Sequence, residues 1–309
     1  MKHFMLNFKA ISMTDQEKIA PCLAANTARV NERSFASMYI WGRHYGFEVC
    51  VQDGVLYTHC LPSEGHRIFL SPVGPGDTAG AFEKIHEDSL RLGQPYRVYC
   101  LTADEAGALE RRYPGRYDIR SDRDNFDYVY RREDLAELQG KKYHGKRNHI
   151  KKFLNAYDGR WKYRPVEPAR DFETLLDFQK KWQQSKDESR QADYQHELYA
   201  IEQALRHYDA LGIRGGVLEV EGAVAAFTLG VPLTHDTMDV LIEKADAGIE
   251  GAYPMINREF VRCECGGFSY IDREEDMGIE GLRRAKLSYY PAMFTEKFIA
   301  SPKEQGRPL

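Results

Sequence analysis

Between Lys141 and Lys152, eight of twelve residues are basic or titratable: Lys141, Lys142, His144, Lys146, Arg147, His149, Lys151 and Lys152. Lysine offers a compact point charge and Arg147 a planar fork. A helix entered through such a segment could hold phosphate, helped by the backbone N–H groups of its first turn. The plainer alternative is a solvated charged helix, because charge runs usually mark wetted faces. A second stretch, Asp272-Arg-Glu-Glu-Asp276, follows a strand-like run and precedes Gly278 and Gly281. Acyl transfer to an amine needs a carbonyl held against polarising donors, a neutral attacking nitrogen and a route for its proton. Glu274, Glu275 or Asp276 could bind a cationic amino group and take that proton, or the stretch could be an acidic surface turn.

Further candidates lie near these two stretches. Ile279 to Leu287 reads as a helix with Arg283, Arg284 and Lys286 towards its end, where positive charge also complements the helix dipole. Arg283 and Lys286 could instead join Lys146 and Arg147 around a phosphate of coenzyme A or the terminal phosphates of an aminoacyl-tRNA. Tyr289 could donate a hydrogen bond or protonate a leaving group, although a tyrosine with a satisfied hydroxyl is more often structural. Asn257 could orient a substrate or, like nearby Tyr253, simply cap or pack. His144 and His149 have no carboxylate at a ligating interval, and Cys263-Glu-Cys265 has no second pair, so no metal is expected.

The elements that must position these groups alternate between strand and helix. Asp53-Gly54 and Glu221-Gly222 are turn dipeptides flanked by β-forming runs, which predicts hairpins over 47–60 and 216–229. Helices are expected over 16–25, 78–92, 103–113, 169–186, 251–261 and 279–287. Strands are expected at 67–70, 96–101, 126–130, 161–166, 237–243 and 268–272. The order of strand, helix, hairpin, strand, helix and strand occurs twice. The fold class is therefore mixed α/β, with an N-terminal module over 1–134 and a second module over 135–309 that opens with the basic helix. Trp41, Trp161 and Trp182 are expected as core anchors.

The chain has 309 residues, is 42% hydrophobic and 29% charged, and carries a net charge of −4. That length exceeds what one core usually organises, and the charge argues against a general nucleic-acid coat while leaving room for one local basic site. The six cysteines, mostly isolated, suit reduced, buried thiols. With no apolar run long enough for a signal peptide or a bilayer crossing, the expectation is a cytoplasmic protein.

Asp127-Tyr-Val-Tyr130, the run Leu135 to Phe153, and the run Glu274 to Pro291 together resemble the DUF2156 family, related to the C-terminal catalytic region of phosphatidylglycerol lysyltransferases. The resemblance covers nearly the whole chain. It implies two tandem acyltransferase modules of the GNAT (GCN5-related N-acetyltransferase) type. Lys286, Tyr289, Pro291 and Lys297 match the family's terminal motif. The resemblance implies transfer of an acyl or aminoacyl group from acyl-CoA or aminoacyl-tRNA, with no tightly bound cofactor, to an amine or hydroxyl on a small molecule, peptide or lipid. Lys146, Arg147 and Lys286 would contact the donor's phosphates; Asn257, Glu274 and Arg283 the substrate; Glu275, Asp276 and Tyr289 would serve catalysis. The membrane-spanning half of the lysyltransferases has no counterpart in this sequence, and Lys244-Ala-Asp-Ala-Gly-Ile-Glu-Gly-Ala252 places Asp246 and Glu250 where a GNAT loop would cradle pyrophosphate. A catalytically inactive pair of modules binding an anionic ligand or an RNA end is the competing reading.

Overall fold

The computed structural model describes residues 5–184 and 191–303 and divides the chain into two compact units, one reaching to Phe126 and including the residues from Thr295 on, the other Asp127–Phe294. The sequence expectation drew its boundary at 134/135.

The first unit contains β1 (Lys9–Ala10), α1 (Gln16–Ala24), α2 (Phe35–Tyr45), β2 (Glu48–Gln52), β3 (Val55–Ser63), β4 (His66–Leu70), α3 (Ala81–Arg91), β5 (Tyr96–Leu101), α4 (Ala103–Arg112) and β6 (Tyr117–Ser121). The second contains β7 (Asp127–Arg131), α5 (Arg132–Glu137), α6 (His144–Ala156), β8 (Trp161–Pro165), α7 (Pro168–Gln184), α8 (Gln191–Arg206), β9 (Arg214–Val220), β10 (Ala223–Thr234), β11 (Thr237–Ala245), α9 (Ala252–Glu264), β12 (Tyr270–Asp272), α10 (Glu280–Leu287) and β13 (Met293–Thr295). The last strand, β14 (Phe298–Pro302), returns to the first sheet, whose order is β1-β2-β3-β4-β5-β14-β6. The second sheet runs β13-β7-β12-β11-β10-β9-β8.

Counted from β1 and from β8, the two sheets follow the same plan: three antiparallel neighbours lead to one parallel pair, β4 with β5 and β11 with β12. This is the mixed α/β, GNAT-like arrangement, built twice. Each hairpin rests on a left-handed pair: Asp53 and Gly54 have φ of 52° and 72°, Glu221 and Gly222 of 53° and 82°. Such angles suit a two-residue turn that matches strand twist. In the first unit Phe69, Ile85, Val98 and Leu101 pack without solvent contact; in the second Phe153, Leu218, Met255, Phe260 and Ile271 do the same.

Three helices were not expected from the sequence: α2, α5 and α8. The signals for α2 were present, since Ser34 accepts the Ser37 N–H at its start and Gly46, at φ 61°, ends it. The expected end of the 169–186 helix at residues 185 and 186 lies outside the described residues. Trp41, Trp161 and Trp182 are half-buried rather than core; the Trp182 indole must reach an acceptor, and donates to the Ala245 carbonyl at 3.1 Å. All six cysteines are free thiols, with only Cys263 exposed.

Candidate functional site

The parallel pair of the second unit parts along its length. Thr237, Met238 and Asp239 of β11 lie opposite Tyr270, Ile271 and Asp272 of β12, whereas from Val240 on β11 keeps only β10 as a partner. Beyond Asp272 the chain turns away. The two parallel strands therefore part at their carboxyl ends, the place where α/β sheets commonly bind ligands.

Glu243 stands on the freed half of β11. Its carboxylate accepts Arg273 Nη2 at 2.7 Å and Asn257 Nδ2 at 2.9 Å. Thr228 of β10 sits opposite Glu243 in register, so both side chains leave the same face of the sheet. Three buried polar atoms here have no partner among the described residues: Arg273 Nη1, Asn257 Oδ1 and Thr228 Oγ1. Unmet buried donors and acceptors cost about 1–3 kcal/mol each, so a fold keeps them where something else supplies the bond.

Aromatic rings wall this cluster. The Arg273 guanidinium lies 4.9 Å from the Tyr289 ring centroid and 5.8 Å from that of Tyr130, and Lys146 Nζ, from the first turn of α6, sits 3.8 Å above Tyr289. Tyr289 is itself fixed, since the Tyr143 hydroxyl donates to its carbonyl at 2.9 Å. Burial, then the neighbouring Arg273 charge, pushes Lys146 down to about 8 against the opposing pull of Glu243. Burial pushes the Tyr289 hydroxyl well above its ordinary value.

The loop after β12 is pinned from below. Lys286 is buried, and its ammonium donates to the carbonyls of Arg273, Glu274 and Glu275. These take the three protons a lysine can offer. Asp276, fully buried, takes a two-point grip from Arg283 at 2.7 and 2.8 Å, the Tyr128 hydroxyl at 2.5 Å and the Gly278 N–H at 2.9 Å. Burial alone would raise its carboxyl, but these bonds, Arg283 first, hold it far below the usual range. Under the loop, Asp239 is buried, and desolvation followed by Glu274, Asp272, Asp127 and Glu275 pushes its carboxyl well up.

Of the residues singled out from sequence, Lys146, Tyr289 and Asn257 converge on Glu243 and Arg273. Arg283, Asp276 and Lys286 form the scaffold of the loop that presents Arg273, and Glu274 and Glu275 lend it their carbonyls. Arg147 turns elsewhere: its Nη1 donates to the Leu138 and Gly140 carbonyls, closing the turn before α6. The loop into α9 carries its acids as anticipated. Asp246 accepts the Gly248 N–H at 2.8 Å, and Glu250 pairs with Lys152 at 2.8 Å. A Cβ on Gly251, whose φ is +86°, would come within 2.5 Å of the His149 carbonyl, so α6 backbone lies directly on the start of α9. Sequence reasoning missed Glu243, Arg273 and Thr228. Their one available signal was position, at the end of a strand that follows or borders a parallel partner.

The family profile described as phosphatidylglycerol lysyltransferase, C-terminal, matches residues 24–301. A conserved protein of unknown function from Bacteroides thetaiotaomicron is 37% identical, with a TM-score of 0.90 over 97% of this chain and 100% of its own. The C-terminal domain (DUF2156) of a protein described as lysylphosphatidylglycerol synthetase from Agrobacterium fabrum superposes with a TM-score of 0.66 at 12% identity, over 95% of this chain and 93% of that one. L-PGS from Bacillus licheniformis gives 0.66 at 15% identity, over 95% and 94%. An uncharacterised protein of Mycoplasmoides gallisepticum is 24% identical over 178 residues, 56% of this chain; the match spans about half (55%) of that curated relative. No helix among the described residues is long and apolar enough to cross a membrane. The matched residues take in both units, the crevice and its loop, and the chain belongs to the family of phosphatidylglycerol lysyltransferase C-terminal domains, with their acyltransferase-like, tandem GNAT-like fold.

Proposed function

We propose that the second unit moves an aminoacyl group from a charged tRNA to an amine or hydroxyl acceptor, and that the crevice around Glu243 and Arg273 receives the activated ester. The unmet Arg273 Nη1 is the observation that carries this reading. A buried guanidinium proton without a partner, held in place by Glu243, suits a carbonyl oxygen that gains negative charge as the nucleophile adds. Asn257 Oδ1 and the Glu243 carboxylate offer acceptors for an ammonium group of the aminoacyl moiety, and Lys146 brings positive charge for the adjoining phosphate. The neutral fraction of Lys146 near pH 8 suits it to take up the proton released by the attacking group. Glu275 lies on the same loop as Arg273 and offers a further carboxylate for an incoming amine. Asp276, committed to Arg283 and Tyr128, serves by holding the loop in place.

Acyl-CoA is the less favoured donor. A GNAT pyrophosphate sits against free N–H groups at a helix start, but here the Gly248 N–H is taken by Asp246 and the His149 carbonyl covers Gly251. The test is incubation of the full chain with a charged tRNA mixture, and separately with acetyl-CoA, following loss of the ester or thioester with and without small amine acceptors. Multiple turnovers with charged tRNA that disappear in Arg273→Met support the proposal. Salt-sensitive retention of tRNA without any turnover would instead support the binding-only reading, and turnover confined to acetyl-CoA would reassign the donor.

A further inference from the structure

The register of β10 against β11 slips at one place: Leu229 lies opposite Ile242 but Gly230 lies opposite Val240, so Leu241 is an extra residue on β11. A bulge of this kind shifts the alternation of side chains along a strand. Glu243, opposite Thr228, therefore leaves one face of the sheet, and Asp239, opposite Val231, leaves the other. Asp272 stands across the parallel pair from Asp239, Val129 stands across from Asp272, and Asp127 lies two residues before Val129 on β7. Neighbours in register share a face and the period along a strand is two, so the three aspartates leave the sheet on the same side. The opposite side carries Met238, Tyr130 and Ile271, packed with Phe260 of α9.

All three aspartates are fully buried. Asp272 Oδ1 accepts the Glu274 N–H at 2.8 Å. For Asp239, neither carboxylate oxygen has a hydrogen-bond partner among the described residues. A buried carboxyl with both oxygens unmet is among the costliest groups a fold can keep. Burial, then the charges of Glu274, Asp272, Asp127 and Glu275, push it well above its ordinary value. Asp239 occupies the last rung that joins β11 to β12, so whatever reaches through the parting of the two strands meets it. Among the described residues no three such side chains have the geometry to hold a metal ion. A hydroxyl would bring one proton and no charge, whereas an ammonium brings three protons and the charge that offsets the acids.

We propose that Asp239, flanked by Asp127 and Asp272, binds the ammonium group of a primary-amine acceptor, which enters from the face opposite Glu243 and meets the activated ester where β11 and β12 part. This rests on the transfer reaction proposed above and narrows its acceptor from an amine or hydroxyl to an amine. Asp239 takes one proton from the ammonium and frees the nitrogen lone pair. The nitrogen bonds to the ester carbonyl carbon, and the bond from that carbon to the ribose oxygen breaks. The second proton passes from the nitrogen through neutral Lys146 to the ribose oxygen, which leaves an amide and a free ribose hydroxyl.

The experiment is titration calorimetry of the full chain with the diamine cadaverine, in the absence of tRNA, followed by transfer assays from a charged tRNA mixture to cadaverine and to the matching diol. Cadaverine is expected to bind and to accept the aminoacyl group, and the diol is not. Asp239→Asn keeps the shape of the side chain and removes its charge. It should weaken cadaverine binding about ten- to a hundredfold, the effect of losing one charged hydrogen-bond partner, and raise the KM for cadaverine by a similar factor with tRNA affinity unchanged. Asp127→Asn should act in the same direction and serves as a second variant should Asp239→Asn fold poorly. Glu280→Gln, which alters an exposed acid of α10, should match the parent. Cadaverine that fails to bind, binding that neither aspartate variant weakens, or transfer to the diol as fast as to cadaverine would overturn the proposal. Cadaverine bound through Asp239 without any transfer from charged tRNA would support the amine subsite and overturn the transfer reading instead.

Discussion

The same place in the two sheets, the carboxyl end of the parallel pair, is shut in the first unit and open in the second. In the first, β4 stays paired with β5 through Leu70 opposite Tyr99, and Ser71 adds one more bond to the Tyr99 carbonyl. Around that end lies a charge network: buried Lys297 bonds Asn31 at 2.6 Å and Glu32 at 2.8 Å, Cys100 Sγ donates to Glu32 at 3.2 Å, and Arg33 grips Glu105 at 2.6 Å. What space remains is about 10 Å³, room for no more than a single water. In the second unit β11 leaves β12 after Asp239, and the polar atoms gathered there keep unmet valences. One architecture thus yields a closed, charge-paired strand end in one copy and, in the other, a parted strand pair beside the unpartnered Arg273 Nη1, Asn257 Oδ1 and Thr228 Oγ1. The difference lies in how far the strands stay paired.

The largest effect should come from removing what shuts the first site. A chain ending at Phe294 loses β14, the strand between β5 and β6, and should show no cooperative unfolding of the first unit by circular dichroism or calorimetry. Lys297→Ala leaves the Glu32 carboxylate buried without its cation, at a cost of about 3–5 kcal/mol, visible as a lowered denaturant midpoint. A Lys297→Met, Glu32→Leu pair should recover most of that loss. In the second unit the same kind of change should fall on function as well as on stability. Arg273→Met should lower the transfer rate about 10²- to 10³-fold, the usual cost of one oxyanion donor, and should also lower the denaturant midpoint, because the Glu243 carboxylate loses its cation.

Acidity gives a finer contrast. Lys146 is depressed in the folded protein to about 8 from an unfolded value near 10.5, so between these limits the unfolded chain binds the extra proton and stability rises with pH. Lys146→Met should flatten that rise in thermal unfolding measured across the window, and should abolish the weakening of anion binding expected as pH passes upward through 8. In the first unit Glu32 runs the other way. Although burial opposes it, Lys297 holds its carboxyl below the ordinary value, so its contribution is present above that value and is lost on acidification. The smallest effect should come from Thr228→Val. Its hydroxyl has no partner among the described residues, and an isosteric apolar replacement should be neutral or stabilise by up to about 1 kcal/mol. A loss of donor affinity in that variant would place the hydroxyl in the binding surface.

The duplication itself was legible in the chain. Asp53-Gly54 and Glu221-Gly222 announce their hairpins by local chemistry, and the basic helix, α9 with Pro254 in its first turn, and α10 follow from periodicity. The return of β14 to the first sheet was not legible, because strand partners are chosen by tertiary packing and nothing in Phe298–Pro302 names them. In the site, sequence chose residues by type. It found the cationic Lys146 and the Tyr289 that carries it, and it read Lys286 and Arg147 as phosphate contacts, whereas in the fold both donate to backbone carbonyls. It passed over Arg273 in the middle of an acidic run, and Glu243 inside a strand, because only the parting of β11 from β12 shows that these positions face a crevice.

Hydrogen exchange followed by mass spectrometry, on the full chain with and without charged tRNA, tests the contrast between the two sites most directly. The account predicts slowed exchange in the segments carrying Glu243, Asn257 and Arg273, with the segments around Glu32, Cys100 and Lys297 unchanged and already strongly protected. Ligand-dependent protection at the first unit's network, with the β11–β12 crevice unaffected, would contradict it.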